Sequence, residues 1–315
     1  MPVTEPHKLR VGLVGTGPWA EEIHLPVLCS HPYASFVGIW DRKAAKAKRL
    51  AESAGARGFE SYESMLESVD AVSFAVAPNA QPDLAKKAAS YGRHVLLEKP
   101  LALSLPEGES LVAAIEEAGV ASVVFFTRRF EPKTAGALAA ITEERTWVSA
   151  SGRFLSGAMR PGSPYAACQW RLRYGALWDI GPHVLSVLLP VLGNVVTVEA
   201  SREERGITRL RMTHGNGGES ELVLGLHEEP EQQGESYVFR AGSYVSKLDV
   251  RLETKVRRGA YTKALESLVA SSRTGLPHAC NPNFALSIVK ILVAAETSLE
   301  RGVAQSVESR KSALS

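Results

Sequence analysis

An α/β domain followed by an α+β domain is the fold class this sequence predicts, and three observations predict it. Strand-like and helix-like stretches alternate over the first 127 residues, as parallel βαβ units require. A glycine turn, Gly15-Thr16-Gly17-Pro18-Trp19-Ala20, closes the first strand and opens the first helix. Beyond Phe130 the pattern changes to period-two runs separated by turn residues, which predicts a large, mostly antiparallel open sheet with helices. The expected domains are therefore 1–127 and 128–315.

Leu9 to Val14 reads as the first strand, and the helix after the glycine turn is expected over Pro18 to Leu28. Ala34 to Trp40 is the second strand, followed by a helix over Lys43 to Ala54. Ser61 is placed to cap a helix through Leu66; Ser64, three residues on, means that a strict capping box is absent. Asp70 to Val76 and Arg93 to Leu97 are strands flanking a helix over Pro82 to Tyr91. Ser104 to Ala118 is helical, with Gly119 a suitable stop, and Ala121 to Phe126 closes the series. A helix over Lys133 to Ile141 and a strand near Thr146 to Phe154 follow. The stretch Leu155 to Tyr174, with Pro161, Gly162 and Pro164, reads as irregular, and a helix is expected from Ala176 towards Val191. Val195 to Val250 carries the alternating runs, including Arg209-Leu210-Arg211-Met212 and the turn Gly215-Asn216-Gly217-Gly218. Tyr261, Leu265, Leu268 and Val269 form one helical stripe, and Phe284, Ile288, Ile291, Leu292 and Ala295 another.

Composition narrows the function class. The chain is 45% hydrophobic and 22% charged with a net charge of +2, and its basic residues are scattered. The densest basic stretch, Lys255-Val256-Arg257-Arg258, reads as a solvated face, so no nucleic-acid partner is expected. Cys29, Cys168 and Cys280 are few, dispersed and without metal spacing, the pattern of reduced thiols, and no metal is expected. No apolar run approaches the roughly 18 residues needed to span a bilayer. The start Met1-Pro2-Val3-Thr4-Glu5-Pro6-His7 lacks the apolar core of a signal peptide. The expectation is a cytoplasmic protein without a membrane partner.

The glycine turn predicts a dinucleotide site because it ends a strand and opens a helix within the first βα unit. Gly15 permits the tight turn, Gly17 lets backbone approach a pyrophosphate, and Ala20 keeps helix and strand close. Pro18 and Trp19 begin the helix whose N–H groups face the phosphates. Asp41 ends the second strand, placed to accept the ribose hydroxyls, which favours NAD; Arg42 and Lys43 leave NADP open. A second landmark, Glu98-Lys99-Pro100, ends a buried strand at the carboxyl edge of the sheet, where ligands of open α/β sheets collect.

Several motifs in order resemble the Gfo/Idh/MocA oxidoreductases, the family of glucose-fructose oxidoreductase and the inositol dehydrogenases. They are His24-Leu25-Pro26, Pro78-Asn79, Gly92-Arg93-His94-Val95-Leu96-Leu97-Glu98-Lys99-Pro100-Leu101, Arg129-Phe130-Glu131-Pro132 and Asp179-Ile180-Gly181-Pro182-His183. The resemblance implies a Rossmann dinucleotide-binding domain followed by a substrate-binding and oligomerisation domain. It implies hydride transfer between NAD, or NADP, and a secondary alcohol or ketone of a sugar, cyclitol or related polyol. Lys99, Asp179 and His183 would be catalytic. Gly15, Gly17, Pro18, Trp19, Asp41, Arg42, Pro78, Asn79, Glu98 and Lys99 would line the cofactor. Arg171 and Tyr174 would join the catalytic residues on the substrate. Asp179 and His183, spaced i and i+4, would share one helical face. A cis Lys99-Pro100 bond and a homodimer or homotetramer are also implied; the apolar residues Leu210, Met212, Leu222, Leu224 and Leu226 either lie near a sheet face used for association or pack beneath the domain's own helices, and period alone does not choose.

The chain departs from the family pattern at three places. Pro82 stands where many relatives have histidine, Ser186 where aspartate is frequent, and Arg173-Tyr174-Gly175 retains one glycine of a usual cluster. A non-catalytic dinucleotide sensor of the same fold is the alternative; retention of Lys99, Asp179 and His183 weighs against it.

Overall fold

The computed structural model describes residues 8–203 and 206–307. The start Met1-Pro2-Val3-Thr4-Glu5-Pro6-His7, read above for a signal peptide, lies outside the described residues. Apolar strands bounded by turns build the first sheet: β1 Leu9–Val14, β2 Ala34–Trp40, β3 Arg57–Gly58, β4 Ala71–Phe74, β5 His94–Glu98 and β6 Ser122–Phe125. Their order is β3-β2-β1-β4-β5-β6, and every pair is parallel. The order reverses direction at β1 and β4, and the crevice beyond their carboxyl ends is where such sheets bind nucleotides.

The intervening helices are α1 Leu25–Ser30, α2 Ala44–Ser53, α3 Tyr62–Ser68, α4 Gln81–Ser90, α5 Leu105–Ala118 and the short α6 Thr127–Phe130. Their ends follow local chemistry. Ser61 Oγ accepts the Ser64 N–H at 3.1 Å. Ser104 caps α5 through the Glu107 N–H, and Gly119 stops it at φ 63°. The first helix differs from expectation. It begins at Pro18 and Trp19 as expected but widens into one π-turn over Ala20–His24 before α1 begins. Pro26 explains the difference, because it lacks the N–H that would bond the Glu22 carbonyl four residues back. That carbonyl instead accepts Arg258 Nε at 2.7 Å.

The remaining elements are α7 Pro132–Glu144, β7 Ser149–Leu155, α8 Gln169–Asp179, α9 Gly181–Leu192, β8 Val195–Arg202, β9 Thr208–His214, β10 Glu219–Gly225, β11 Gly234–Ala241, β12 Tyr244–Val250, α10 Thr254–Thr274, α11 Pro282–Arg301 and β13 Gln305–Ser306. The second sheet has the order β12-β11-β7-β10-β9-β8-β13. All its pairs are antiparallel except β7 with β10, whose long connection carries helices, as a parallel pair requires.

Two compact units result. The first holds the described residues up to Glu131 together with Leu252–Ala285; the second holds Pro132–Arg251 and the described residues from Leu286 onward. A single boundary at 127/128 does not describe this path, because α10 packs against β5, β6 and α6 of the first unit. Its stripe Tyr261, Leu265, Leu268 and Val269 is buried there, so apolar contact outweighs position along the chain.

In the second unit Leu210, Met212, Leu222, Leu224 and Leu226 are buried, which decides for packing inside the unit over the alternative of an association face. Period two puts the first four on the covered side, and the unit's own helices close over them. Leu224 Cδ1 and Leu292 Cδ2 both lie against Gly181, and a Cβ on Gly152 would stand 2.6 Å from Val184 Cγ1. The opposite face is polar: Arg209, Arg211, Glu219 and Glu221 are exposed, with Arg211 Nε donating to Glu221 Oε1 at 3.1 Å. Two helical stretches, Gln169–Leu192 and Pro282–Arg301, pass by length and composition as bilayer spans, with 83% and 56% of their apolar windows buried inside the protein. The sequence expectation missed them because charged or polar residues break each apolar run.

Four histidines give the fold a pH dependence. Burial pushes His31, His94, His214 and His278 below the ordinary imidazole value of 6.5. Between 6.5 and the lower folded value, the unfolded chain binds more protons than the folded one. Stability is therefore fully present above 6.5 and is lost as pH falls through that window. Thermal unfolding at pH 5.5 is expected on the order of a few degrees below that at pH 7.5. A midpoint that is flat or rises on acidification contradicts this.

Candidate functional site

The glycine turn is built by steric necessity. Gly15 has φ +110°, and a Cβ there would sit 2.3 Å from the Ala75 carbonyl oxygen. No other residue fits. Gly15 N–H donates to Trp40 O at 3.0 Å, tying the turn to the end of β2. Nothing lies within 4 Å of a Cβ placed on Gly17, so this corner of the turn is open. Asp41 follows β2 directly and faces the turn: Thr16 Oγ1 donates to its Oδ2 at 2.9 Å, and Lys43 N–H to its Oδ1 at 2.8 Å. Pro18 and Arg42 are exposed. The loop after β4 places Pro78 inside and Asn79 at the surface. A tight glycine corner, open space above it and a carboxylate at the end of β2 fit a dinucleotide.

Glu98 ends β5, and its side chain turns inward rather than into the open space. Trp19 Nε1 donates to Glu98 Oε1 at 2.6 Å, and His24 Nε2 lies 3.0 Å from the same oxygen. The first of these contacts joins the glycine turn to the loop that carries Lys99. The loop's backbone is held from below by Gln81. Its Oε1 accepts the Glu98 N–H at 2.7 Å, and its Nε2 donates to Glu98 O at 2.7 Å and reaches Leu101 O at 3.2 Å. The Lys99-Pro100 peptide is cis, as the resemblance implies. Lys99 is half-buried. Pro82 sits in the first turn of α4, where its missing N–H costs nothing.

The second unit gathers Arg171, Asp179, Tyr174 and His183 around the junction of α8 and α9. Asp179 is the last residue of α8, and α9 follows after the single residue Ile180, whose backbone is also right-handed helical. The chain continues through Ile180, and the His183 N–H donates to Ile180 O at 3.1 Å. Gly175 breaks α8 at φ 62° and ψ −158°, a conformation reserved for glycine. Arg171, eight residues before Asp179, donates from Nε to Asp179 Oδ2 at 2.8 Å. Its guanidinium lies over the rings of Tyr165 and Trp170, at 4.6 and 4.7 Å from their centroids. Burial works against that cation, but the Asp179 carboxylate outweighs it and raises the Arg171 pKa. Tyr174 packs edge-on against Trp178, with ring centroids 5.9 Å apart. His183 is buried near Phe154. Ser186 Oγ donates to the His183 carbonyl at 2.7 Å.

His24, Ser73, Gln81 and Tyr261 were not singled out as site residues from the sequence. Only His24 carried a signal, its place before Leu25-Pro26. Ser73 and Tyr261 sit within ordinary strand and helix patterns, and only the folded chain brings them together.

The fold and the glycine turn define a dinucleotide-binding protein of the open parallel-sheet class. Residues 9–126 match the model of the oxidoreductase family with an NAD-binding Rossmann fold, Gfo/Idh/MocA. The chain is 31% identical over 134 residues to scyllo-inositol 2-dehydrogenase (NAD+) of Bacillus subtilis, a match over 42% of this chain and 39% of that protein. It is 34% identical over 114 residues to dTDP-3,4-didehydro-2,6-dideoxy-α-D-glucose 3-reductase of Actinomadura kijaniata, over 36% of this chain and 34% of that protein. The matched region thus spans less than half the length of these curated relatives. The solved structure of GenD2 from gentamicin A biosynthesis, in complex with NAD, superposes with a TM-score of 0.85 at 21% identity, covering 96% of this chain and 97% of that one. At that identity the likeness concerns the fold.

Proposed function

We propose that this protein is an NAD-dependent dehydrogenase or reductase acting on a secondary alcohol or ketone of a sugar, cyclitol or related polyol. The observation that carries the proposal is the Trp19–Glu98 hydrogen bond, 2.6 Å long, which joins the glycine turn to the Lys99 loop at the carboxyl edge of one parallel sheet. Gly15, Gly17, Pro18 and Trp19 form the turn that would receive the pyrophosphate. Asp41 would accept the ribose hydroxyls and repel a 2′-phosphate, which favours NAD over NADP; Pro78 and Asn79 would border the nucleotide. When bound, the nicotinamide supplies the hydride acceptor or donor.

The chain's own residues handle the proton and the charge. His183 takes the hydroxyl proton as hydride leaves the same carbinol, a role suited to imidazole near neutrality. Asp179, held by Arg171, orients the hydroxyl or the imidazole. The Lys99 ammonium holds the substrate oxygen and stabilises its developing negative charge. Arg171 therefore serves through Asp179, and Tyr174 offers a ring to the substrate. The named activities of the two relatives, on an inositol and on a nucleotide-linked deoxysugar, support the substrate class. The polar outward face of the second sheet is the surface we infer for a homodimer or homotetramer, and reduced, dispersed thiols support a cytoplasmic location.

The test is a panel of sugars and cyclitols with NAD and with NADP, read as absorbance of the reduced nicotinamide, with molar mass by light scattering in the same buffer. Turnover with NAD on at least one polyol and a multimeric mass are expected. Tight nucleotide binding without turnover across the panel overturns the enzymatic assignment, and a monomeric mass overturns the assembly.

A further inference from the structure

Behind the Lys99 loop lies a buried polar chain that the catalytic roles above leave unused. Glu98 Oε1 meets His24 Nε2 at 3.0 Å; His24 Nδ1 meets Ser73 Oγ at 3.0 Å; Ser73 Oγ meets the Tyr261 hydroxyl at 2.6 Å. Ser73 and Tyr261 are fully buried and His24 nearly so. Serine, histidine and glutamate in this order resemble a nucleophilic triad. Burial excludes that use, because the hydroxyl is sealed from any substrate and engaged by Tyr261.

Counting donors gives the chain a direction. The Trp19 indole can only donate, so Glu98 Oε1 accepts from it at 2.6 Å. With the His24 proton on Nε2, the same oxygen accepts a second bond, and Nδ1 is left to accept from Ser73. Ser73 in turn accepts from Tyr261. Every donor then has an acceptor. The opposite direction would leave the Tyr261 proton without a partner in the chain, a costly state for a buried hydroxyl. The other Glu98 oxygen, Oε2, accepts the Lys99 N–H at 3.3 Å.

We propose that Glu98 is a positioning residue rather than a cofactor ligand. Its carboxylate, aligned by the His24–Ser73–Tyr261 chain, locks Trp19 of the glycine turn to the backbone of Lys99, so that the nucleotide-receiving turn and the catalytic lysine are held as one piece. The π-turn over Ala20–His24 is the local device that points His24 inward to this carboxylate. The inference deepens the dehydrogenase proposal and rests on its nucleotide site.

The test uses the full chain and NADH binding, followed by energy transfer from tryptophan, so that no substrate is required. Glu98→Gln is expected to weaken NADH binding about tenfold, the size of a lost hydrogen bond to a charged group. Trp19→Phe keeps a ring but removes the indole donor, and it should weaken binding in the same direction. The double variant should bind no more weakly than Glu98→Gln alone, because both changes break one link. Tyr261→Phe, at the far end of the chain, should weaken binding about threefold while the melting temperature shifts by only a few degrees. Binding by Glu98→Gln within about twofold of the parent, or tighter as loss of a negative charge near phosphates would give, overturns the proposal. So do multiplicative effects in the double variant. Absence of NADH binding by the parent protein is a separate failure, which removes the nucleotide site itself.

Discussion

Lys99→Ala is expected to abolish turnover in the reduced-nicotinamide assay while leaving NADH affinity within about threefold of the parent. The loop around Lys99 is fastened through backbone atoms and neighbouring side chains, with Gln81 on Glu98 and Leu101, and Glu98 on Trp19. Truncating the lysine beyond Cβ therefore removes the ammonium without releasing the turn. What is lost is charge stabilisation at the substrate oxygen, on the order of 3–4 kcal/mol or about a hundredfold to a thousandfold in kcat. Lys99→Arg should recover little, because the larger planar guanidinium does not reproduce a compact ammonium. His183→Ala should lose a comparable factor through the missing base. Full activity in Lys99→Ala or His183→Ala removes the respective assignment.

The second large effect concerns the two glycines of the turn, which should fail in different ways. Gly15→Ala forces an L-residue to φ +110° and drives its Cβ to 2.3 Å from the Ala75 carbonyl oxygen and 2.8 Å from its carbon. Backbone must move, so a loss of about 3 kcal/mol in stability is expected together with loss of NADH binding. Gly17→Ala meets nothing within 4 Å in the protein. Its stability should change by less than about 1 kcal/mol, yet NADH affinity should fall severalfold or more, because the methyl enters the space proposed for the pyrophosphate. Unfolding by denaturant and tryptophan-to-NADH energy transfer separate the two. If Gly17→Ala binds NADH like the parent, the pyrophosphate does not lie over this corner. If Gly15→Ala unfolds like the parent, the turn has more freedom than its geometry allows.

Much of the first unit was legible because its determinants are local. The alternation of strand and helix, the serine caps at Ser61 and Ser104, the stop at Gly119 and the glycine turn each depend on residues a few positions apart. The family motifs Glu98-Lys99-Pro100 and Asp179-Ile180-Gly181-Pro182-His183 were legible for the same reason. Less local features were left incomplete. The first helix was expected to run smoothly, although Pro26 and the long-range Arg258 contact widen it. Leu210, Met212, Leu222, Leu224 and Leu226 were correctly seen as apolar, but period two alone does not say whether a helix covers them. The Arg171 partner of Asp179 was not legible, because the glycine break at Gly175 that lets the chain fold back between them is a tertiary detail.

The sequence by itself determined a parallel dinucleotide-binding sheet, an alternating second sheet and the residue types fit for hydride chemistry, because periodicity, turn sterics and motif spacing are properties of neighbouring residues. Only the tertiary structure decided which buried groups meet. Ser73 and Tyr261 lie 188 positions apart and share a hydrogen bond of 2.6 Å. That bond exists because α10 returns to the first unit and buries its apolar stripe there. Glu98 is changed most by this. Along the chain it is a motif residue beside a lysine, and in the fold it becomes the acceptor on which the glycine turn, the lysine loop and a helix from the far end of the sequence converge. Burial leaves polar atoms in such a place no solvent to turn to, so they must find one another.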